Sequence, residues 1–388
     1  MKRIAFVVQR CGLEVNGGSE SHCLKIAERM SKYWDVEILT TCALDYMTWK
    51  NHYPPGLADV SGVKVRRFRV AKQRDIRAFN RLSEKIYPRI KEASLKEQET
   101  WMLAQGSRSP DLINYVKKHK GDYDAFIFFT YLYGTTYFVL PLVAEKAYLV
   151  PTAHNEWPIY MSIWDTLFEK PQGFIFNTVE ERTFLQSRFP KANCEGPIVG
   201  VAVEPPEAYD AERFRQQYNV DEPFLLYVGR IDPSKGCDEL FRYFLELRAR
   251  ESAPRKLVLL GRSVMSISKH PDIIALGFVD EQTKWDALAA CELLVMPSPY
   301  ESLSMAVLEA WTVSKPVLVN GKCEVLVGQC RRAHGGLWYT NKYEFQVALE
   351  KMDKEVRYQL GLQGNKFVEE TYKWSRIEQY YLALLDNI

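Results

Sequence analysis

The apolar run at residues 4–8 is followed by a polar, glycine-bearing loop at 9–19, and then by Cys23, Ile26, Ala27 and Met30. The run reads as a buried strand. The four residues, at i, i+3, i+4 and i+7, form one stripe of an amphipathic helix. Residues 36–40 make a second strand. A strand, a helix and a strand in immediate succession require parallel pairing and a right-handed crossover. This unit constrains the fold more than any other feature.

The alternation continues. Residues 125–129, 147–150 and 174–177 read as strands, and Thr178 with Glu181 three positions on is a capping box opening a helix. Residues 195–223 form a polar, proline-bearing linker, beyond which 224–228, 257–260, 293–296 and 316–319 start a second series of strands with helical segments between them. Two α/β series joined by a linker predict two doubly wound, Rossmann-like lobes facing a central cleft. The expected boundaries are 1–200, 201–372 and a last helix within 373–388, capped by Ser375 and packing back on the first lobe. A length of 388 residues fits two such lobes. No segment repeats, and none has low complexity.

A net charge of +2 argues against a nucleic-acid protein. The eight cysteines show neither C-x-x-C pairs nor zinc spacing, so reduced thiols and a cytoplasmic location are expected. The apolar stretch after Lys2-Arg3 is too short for a signal peptide. Residues 125–144 are uncharged, but their threonines, Gly134 and Pro141 suit a strand, a loop and a short helix rather than a membrane span.

In open parallel sheets, ligands bind beyond the carboxyl ends of the strands. After 224–228 comes Gly229-Arg230-Ile231-Asp232-Pro233-Ser234-Lys235-Gly236. Arg230 offers a planar fork to phosphate oxygens, Lys235 a mobile point charge, and the adjoining helix start a positive dipole. After 293–296, Glu301 and Glu309 stand eight apart. On one helix they would be about 80° and about 12 Å apart, a span that suits vicinal hydroxyls of two sugars flanking a diphosphate. The apolar residues around them imply burial, and buried carboxylates need partners. The first-turn N–H groups at Ser304 and Met305 suit a phosphate.

These two motifs together resemble the retaining glycosyltransferases of family 4, whose fold is GT-B and whose pattern is G-R-x(4)-K-G followed by E-x(7)-E. The likeness extends over most of the chain and includes Gly17-Gly18-Ser19-Glu20 and the position of His154. It implies a nucleoside diphosphate held by Arg230 and Lys235, donor-sugar hydroxyls at Glu301, ribose hydroxyls at Glu309, and base contacts at Gly277, Phe278 and Val279. Ser302, Leu303, Ser304 and Met305 complete the donor loop. The family often has glycine where Ser302 and Ser304 stand, so the donor preference does not transfer directly.

In the first lobe, Gly17 and Gly18 allow close backbone approach, or form a plain turn. His154 is a catalytic, donor or acceptor contact, or a structural histidine. Glu20, Tyr131, Tyr133 and Glu156 are acceptor-side candidates, with aromatic packing the competing role for the tyrosines. Asp122-Tyr123-Asp124 has the form of a metal-binding D-x-D, but it precedes a strand and reads as turn chemistry. No metal or cofactor is expected.

Residues 64–91 hold eleven Lys/Arg against two acids, leaving −7 for the remainder of the chain. This segment is either a solvated face or a contact for an anionic membrane or a lipid-diphosphate acceptor, which would place the protein at the inner face of a membrane. The expected activity is transfer of a hexose from a nucleoside-diphosphate sugar, UDP-glucose or another UDP-hexose first, to a glycan or lipid-linked glycan in polysaccharide biosynthesis. A GT-B-type epimerase or phosphorylase, and a non-catalytic nucleotide-sugar-binding subunit, are the alternatives.

Overall fold

A computed structural model of the chain describes residues 1–15, 17–250 and 255–385. It divides into two compact units, Met1–Val201 with Ser375–Ile388, and Ala202–Trp374. The last three residues of the expected C-terminal segment lie outside the described residues.

The first unit contains β1 (Arg3–Val7), β2 (Asp35–Thr41), β3 (Gly56–Val60), β4 (Val63–Phe68), β5 (Ala125–Phe129), β6 (Ala147–Val150) and β7 (Gly173–Phe174). They form one sheet in the order β3-β4-β2-β1-β5-β6-β7, parallel except for β3 against β4. From β1 the chain builds outward through β2 and β4, then returns to the other side of β1 at β5. The β1/β5 boundary is therefore the topological switch point, where ligands are expected. The helix Gly18–Met30 packs Cys23, Ile26, Ala27 and Met30 inward, all fully or almost fully buried. The C-terminal helix Trp374–Leu385 buries Ile377, Tyr381 and Leu385.

The second unit contains β8 (Phe224–Val228), β9 (Lys256–Leu260), β10 (Ile273–Gly277), β11 (Leu293–Met296), β12 (Val317–Asn320) and β13 (Gly336–Tyr339). All six are parallel, in the order β10-β9-β8-β11-β12-β13, with the switch point at β8/β11. Strands β8, β9 and β11 are almost continuously apolar and buried, as sheets covered on both faces require.

Four expectations change. The last helix starts at Trp374, so Ser375 lies inside it and is not its cap. The segment 174–177 forms only a two-residue strand, with Phe176 bridging to Ile198. The linker 195–223 contains a helix, Ala211–Tyr218, held by Arg213 on Asp286 at 2.5 Å. The basic segment is not one helix: it begins as β4 and becomes helical at Ile76–Ile86, under an Asp75 cap.

Candidate functional site

The loops after β8 and β11 meet because their strands are neighbours. Gly236 adopts φ +74°, and a Cβ there would lie 2.3 Å from the Pro297 carbonyl oxygen. Only glycine lets the two loops approach this closely. The turn Pro233–Lys235 is capped by Asp232, whose carboxylate accepts from Ser234 N–H at 2.8 Å. It delivers Lys235 Nζ to Glu301 Oε1 at 2.7 Å. Arg230 Nε binds Asp232 Oδ2 at 2.8 Å. Both cations are thus held by carboxylates, and both are half-buried.

Glu301 is not on a helix. The helix after β11 starts at Met305, with Ser304 at its N-cap, and Glu301 sits in the preceding loop. The helical spacing argument therefore fails for Glu301, because Ser-Pro-Tyr-Glu-Ser is turn-forming. The loop geometry nonetheless brings its carboxylate to Lys235. Ser302 and Ser304 are buried, while Leu303 and Met305 are half-buried.

Glu309 does lie in the helix and is only 4% exposed. Its buried charge is answered by Lys284, whose Nζ lies 2.7 Å from Glu309 Oε1 and 2.9 Å from Glu281 Oε2. Burial alone would depress the Lys284 ammonium, but the two carboxylates hold its pKa above the ordinary lysine value. The sequence reading missed Lys284. A cation in the first turn of an amphipathic helix gives no local sign of its partner 25 residues on. Phe278, 54% exposed, follows β10 at the same edge, where the guanidinium of Arg262 lies 5.3 Å from its ring centre; Val279 beside it is half-buried.

In the first unit, Gly17 is the N-cap of the helix Gly18–Met30. A Cβ at Gly17 would strike the Glu20 carboxylate, whereas one at Gly18 would meet open space. Glu20 is not presented to a ligand: it is buried in an ion pair with Arg10. Tyr131 is 1% exposed and packs edge-on against Trp164, so its place is in the core. Tyr133 remains half-buried after β5, 5.3 Å from the Trp49 ring.

His154 follows β6 and places Nδ1 3.3 Å from Glu156 Oε1, both side chains half-buried. The turn that carries it is tightly specified. Thr130 and Thr152 both have positive φ, +69° and +47°, unusual for β-branched residues. Their hydroxyls bond each other at 2.7 Å. Glu181, fully buried, accepts from Ala153 N–H at 2.7 Å and from Asn177 N–H at 2.8 Å. Thr178 caps its helix by accepting from Glu181 N–H, as the sequence pattern implies. Burial pushes the Glu181 carboxyl up to about 7, against the pull of those two N–H groups and of nearby His154.

Asp122 and Asp124 stand at the amino end of β5, engaged by His119 and by Arg3 N–H. No trio of metal-ligating side chains occurs among the described residues. Within the basic segment, Lys64, Arg66 and Arg89 pair with Asp35, Glu37 and Glu97. Arg67 is buried over Tyr53. Arg69, Lys72, Arg77, Arg81, Lys85 and Lys91 stay exposed. All eight cysteines are buried and unpaired. No described helix is long and apolar enough to cross a membrane.

Residues 209–374 match the family described as Glycosyl transferases group 1. The match covers most of the second unit. The matched residues include both loops and the helix of Glu309, and so Arg230, Lys235, Glu301 and Glu309. An uncharacterized glycosyltransferase of Methanocaldococcus jannaschii is 28% identical over 182 residues, 42% of this chain and 45% of its own length. The N,N'-diacetylbacillosaminyl-diphospho-undecaprenol alpha-1,3-N-acetylgalactosaminyltransferase of Campylobacter jejuni is 24% identical over 248 residues, 58% of this chain and 63% of its own. The chain therefore matches about half to under two thirds of the length of these relatives. Sucrose-phosphate synthase from Thermosynechococcus elongatus superposes with a TM-score of 0.74 at 16% identity, all of both chains being covered. The Anabaena protein HepE, in complex with UDP and glucose, gives 0.70 at 15%, again over both whole chains. The shared fold thus extends beyond the matched residues, and it is GT-B.

Proposed function

We propose that the protein is a retaining, metal-independent glycosyltransferase of family 4. On this reading it moves a hexose from a nucleoside-diphosphate sugar, UDP-glucose or another UDP-hexose first, to a glycan or lipid-linked glycan during polysaccharide biosynthesis. The observation that carries the proposal is the Lys235–Glu301 contact at 2.7 Å. It sets a phosphate-seeking cation beside a hydroxyl-seeking carboxylate at a switch point, as a sugar bonded to a diphosphate requires. Support also comes from HepE, which binds UDP and glucose on the same fold, and from the Campylobacter relative, whose name gives a lipid-diphosphate-linked acceptor.

The chemistry follows from charge. As the bond from the anomeric carbon to the diphosphate breaks, negative charge grows on the departing oxygens, where Arg230 and Lys235 are placed to stabilise it. Glu301, released from Lys235 by the incoming phosphate, accepts the sugar hydroxyls, and Glu309, steadied by Lys284, accepts those of the ribose. Phe278 and Val279 flank the base. The acceptor hydroxyl enters on the face from which the diphosphate leaves and gives its proton to the departing phosphate. His154, in the first unit, is read as a contact for the donor sugar or the acceptor. The exposed arginines and lysines between 69 and 91 form a basic face for an anionic membrane surface.

Glu301→Ala is the direct test. Transfer is expected to be lost while nucleotide binding stays within a few-fold of wild type; undiminished turnover removes Glu301 from the reaction.

A further inference from the structure

Four loops that follow parallel strands of the first sheet gather around one half-buried guanidinium. Arg74 follows β4 and lies between the rings of Trp49 and Phe79, 5.6 and 4.7 Å from their centres. Trp49 follows β2, Tyr133 follows β5, and Arg10 follows β1. Arg10 lies 5.4 Å from the Tyr46 ring, and both guanidiniums feel Tyr46 and Tyr133 electrostatically.

The cluster is built rigidly. Trp49 is fully buried at φ +58° and donates through Nε1 to the Gln105 carbonyl at 2.8 Å. The same carbonyl accepts Arg74 Nε. Gly106, at φ +97°, has no room for a Cβ against the Trp49 ring. Such strain at a strand-end loop is typical of a binding site.

The negative charge that Arg74 feels comes from Asp45 and does not outweigh its burial. Glu20 is occupied by Arg10, and the Asp45 carboxylate accepts from Thr48 N–H and Oγ1 at 2.6 and 2.8 Å. Arg74 has no carboxylate within ion-pair distance among the described residues, and its two Nη groups make no hydrogen bond there. Burial depresses its pKa, the sign of a cation without enough compensating charge. Exposed Arg69 and Lys72 add positive charge just upstream. A planar fork with two open N–H faces, in a positive field beside an aromatic wall, matches a phosphate group attached to an organic body.

We propose that Arg74, beside Tyr46 and Tyr133, binds a phosphate or diphosphate group of the acceptor. This rests on the glycosyltransferase reading, which assigns the first unit to the acceptor. The phosphate can belong to a lipid-linked glycan or to a free sugar phosphate.

The experiment uses the full chain with its nucleotide site first filled by UDP, so that Arg230 and Lys235 do not compete. Farnesyl diphosphate and glucose 6-phosphate are then titrated calorimetrically, with farnesol and glucose as uncharged counterparts. One phosphorylated probe is expected to bind at least ten-fold tighter than its counterpart. Arg74→Gln is expected to lose that difference and Arg74→Lys to recover part of it, with UDP binding unchanged in both. Preference for the prenyl probe identifies a lipid acceptor, and preference for the hexose phosphate a soluble one. Equal binding of phosphorylated and uncharged probes by wild type overturns the assignment, as does full retention of the difference in Arg74→Gln. Failure of UDP to bind counts instead against the nucleotide-sugar reading.

Discussion

At the level of single residues, Lys284 and Gly236 carry the sharpest consequences. Lys284→Met leaves the Glu309 carboxylate buried and unpaired, an arrangement that typically costs about 3–5 kcal/mol. The expected result is a fall in stability of that order, seen in urea unfolding, and a loss of at least ten-fold in UDP affinity. Lys284→Arg, which keeps the charge, should recover most of the affinity; equal loss in both variants would show that Lys284 does not orient Glu309. Gly236→Ala forces a side chain into left-handed backbone and against the Pro297 carbonyl, so the loops after β8 and β11 must separate. Nucleotide affinity is expected to fall ten-fold or more while far-ultraviolet circular dichroism is unchanged. The positions of Arg230 and Lys235 in the loop beyond β8, and of Glu309 in the helix beyond β11, were legible in the sequence from the strands that precede them. Lys284 was not, since its partner is set by tertiary packing. Nor was the loss of Glu20 to Arg10 or of Tyr131 to the core, because local sequence does not say which side of a loop faces inward.

Between elements of the first unit, two buried titratable groups oppose one another. Burial lowers His22, which hydrogen-bonds the Gly200 backbone, from 6.5 to about 4. As pH falls below about 6.5, unfolded chains take up a proton that folded His22 refuses, and stability is lost. Glu181 is raised from 4.5 to about 7. As pH rises above about 4.5, unfolded chains release a proton that folded Glu181 keeps, so stability is again lost, but in the other direction. Each contributes a slope of about 1.4 kcal/mol per pH unit, and the two cancel between about pH 4.5 and 6.5. Glu181→Gln removes one of them. Relative to wild type, its unfolding free energy should rise by about 1.4 kcal/mol per unit from pH 5 to 6.5. A constant offset between the two curves would contradict this account of Glu181. The sequence disclosed the helix opened by Thr178, but not that Glu181 reaches back to Ala153 and so fixes the turn before His154. Strands β1, β2, β5, β6, β8, β9, β11 and β12 were readable as apolar runs. Strands β3, β10 and β13 were not, because they are sheet edges with exposed positions, nor was β4, whose apolar residues are interrupted by Lys64, Arg66 and Arg67.

Across the whole molecule, charge and connectivity are unevenly spread. The excess of eleven cations over two acids in 64–91 lies in the first unit, where ion pairs quench part of it. The second unit confronts its expected dianion with two placed cations. The chain also returns to the first unit at its end. Tyr381 is buried within the electrostatic reach of Cys23, and Tyr33 donates to Glu378 at 2.9 Å. Removing 375–388 deletes Ile377, Tyr381 and Leu385 and exposes the first-unit surface they cover, at a cost of about 1.5–3 kcal/mol for each buried aliphatic side chain lost. Faster hydrogen exchange is expected in the helix Gly18–Met30, with β8 and β11 unaffected. UDP binding by the second unit should persist.

The central claim is that Arg230 and Lys235 await a nucleoside diphosphate. Calorimetric titration of UDP, UMP and uridine into wild type and into Arg230→Ala/Lys235→Ala tests it most directly. Wild type is expected to bind UDP at least a hundred-fold tighter than uridine, with UMP between them, and the double variant to bind all three alike. A wild type that binds uridine as tightly as UDP, or a double variant that keeps the preference, would contradict the account.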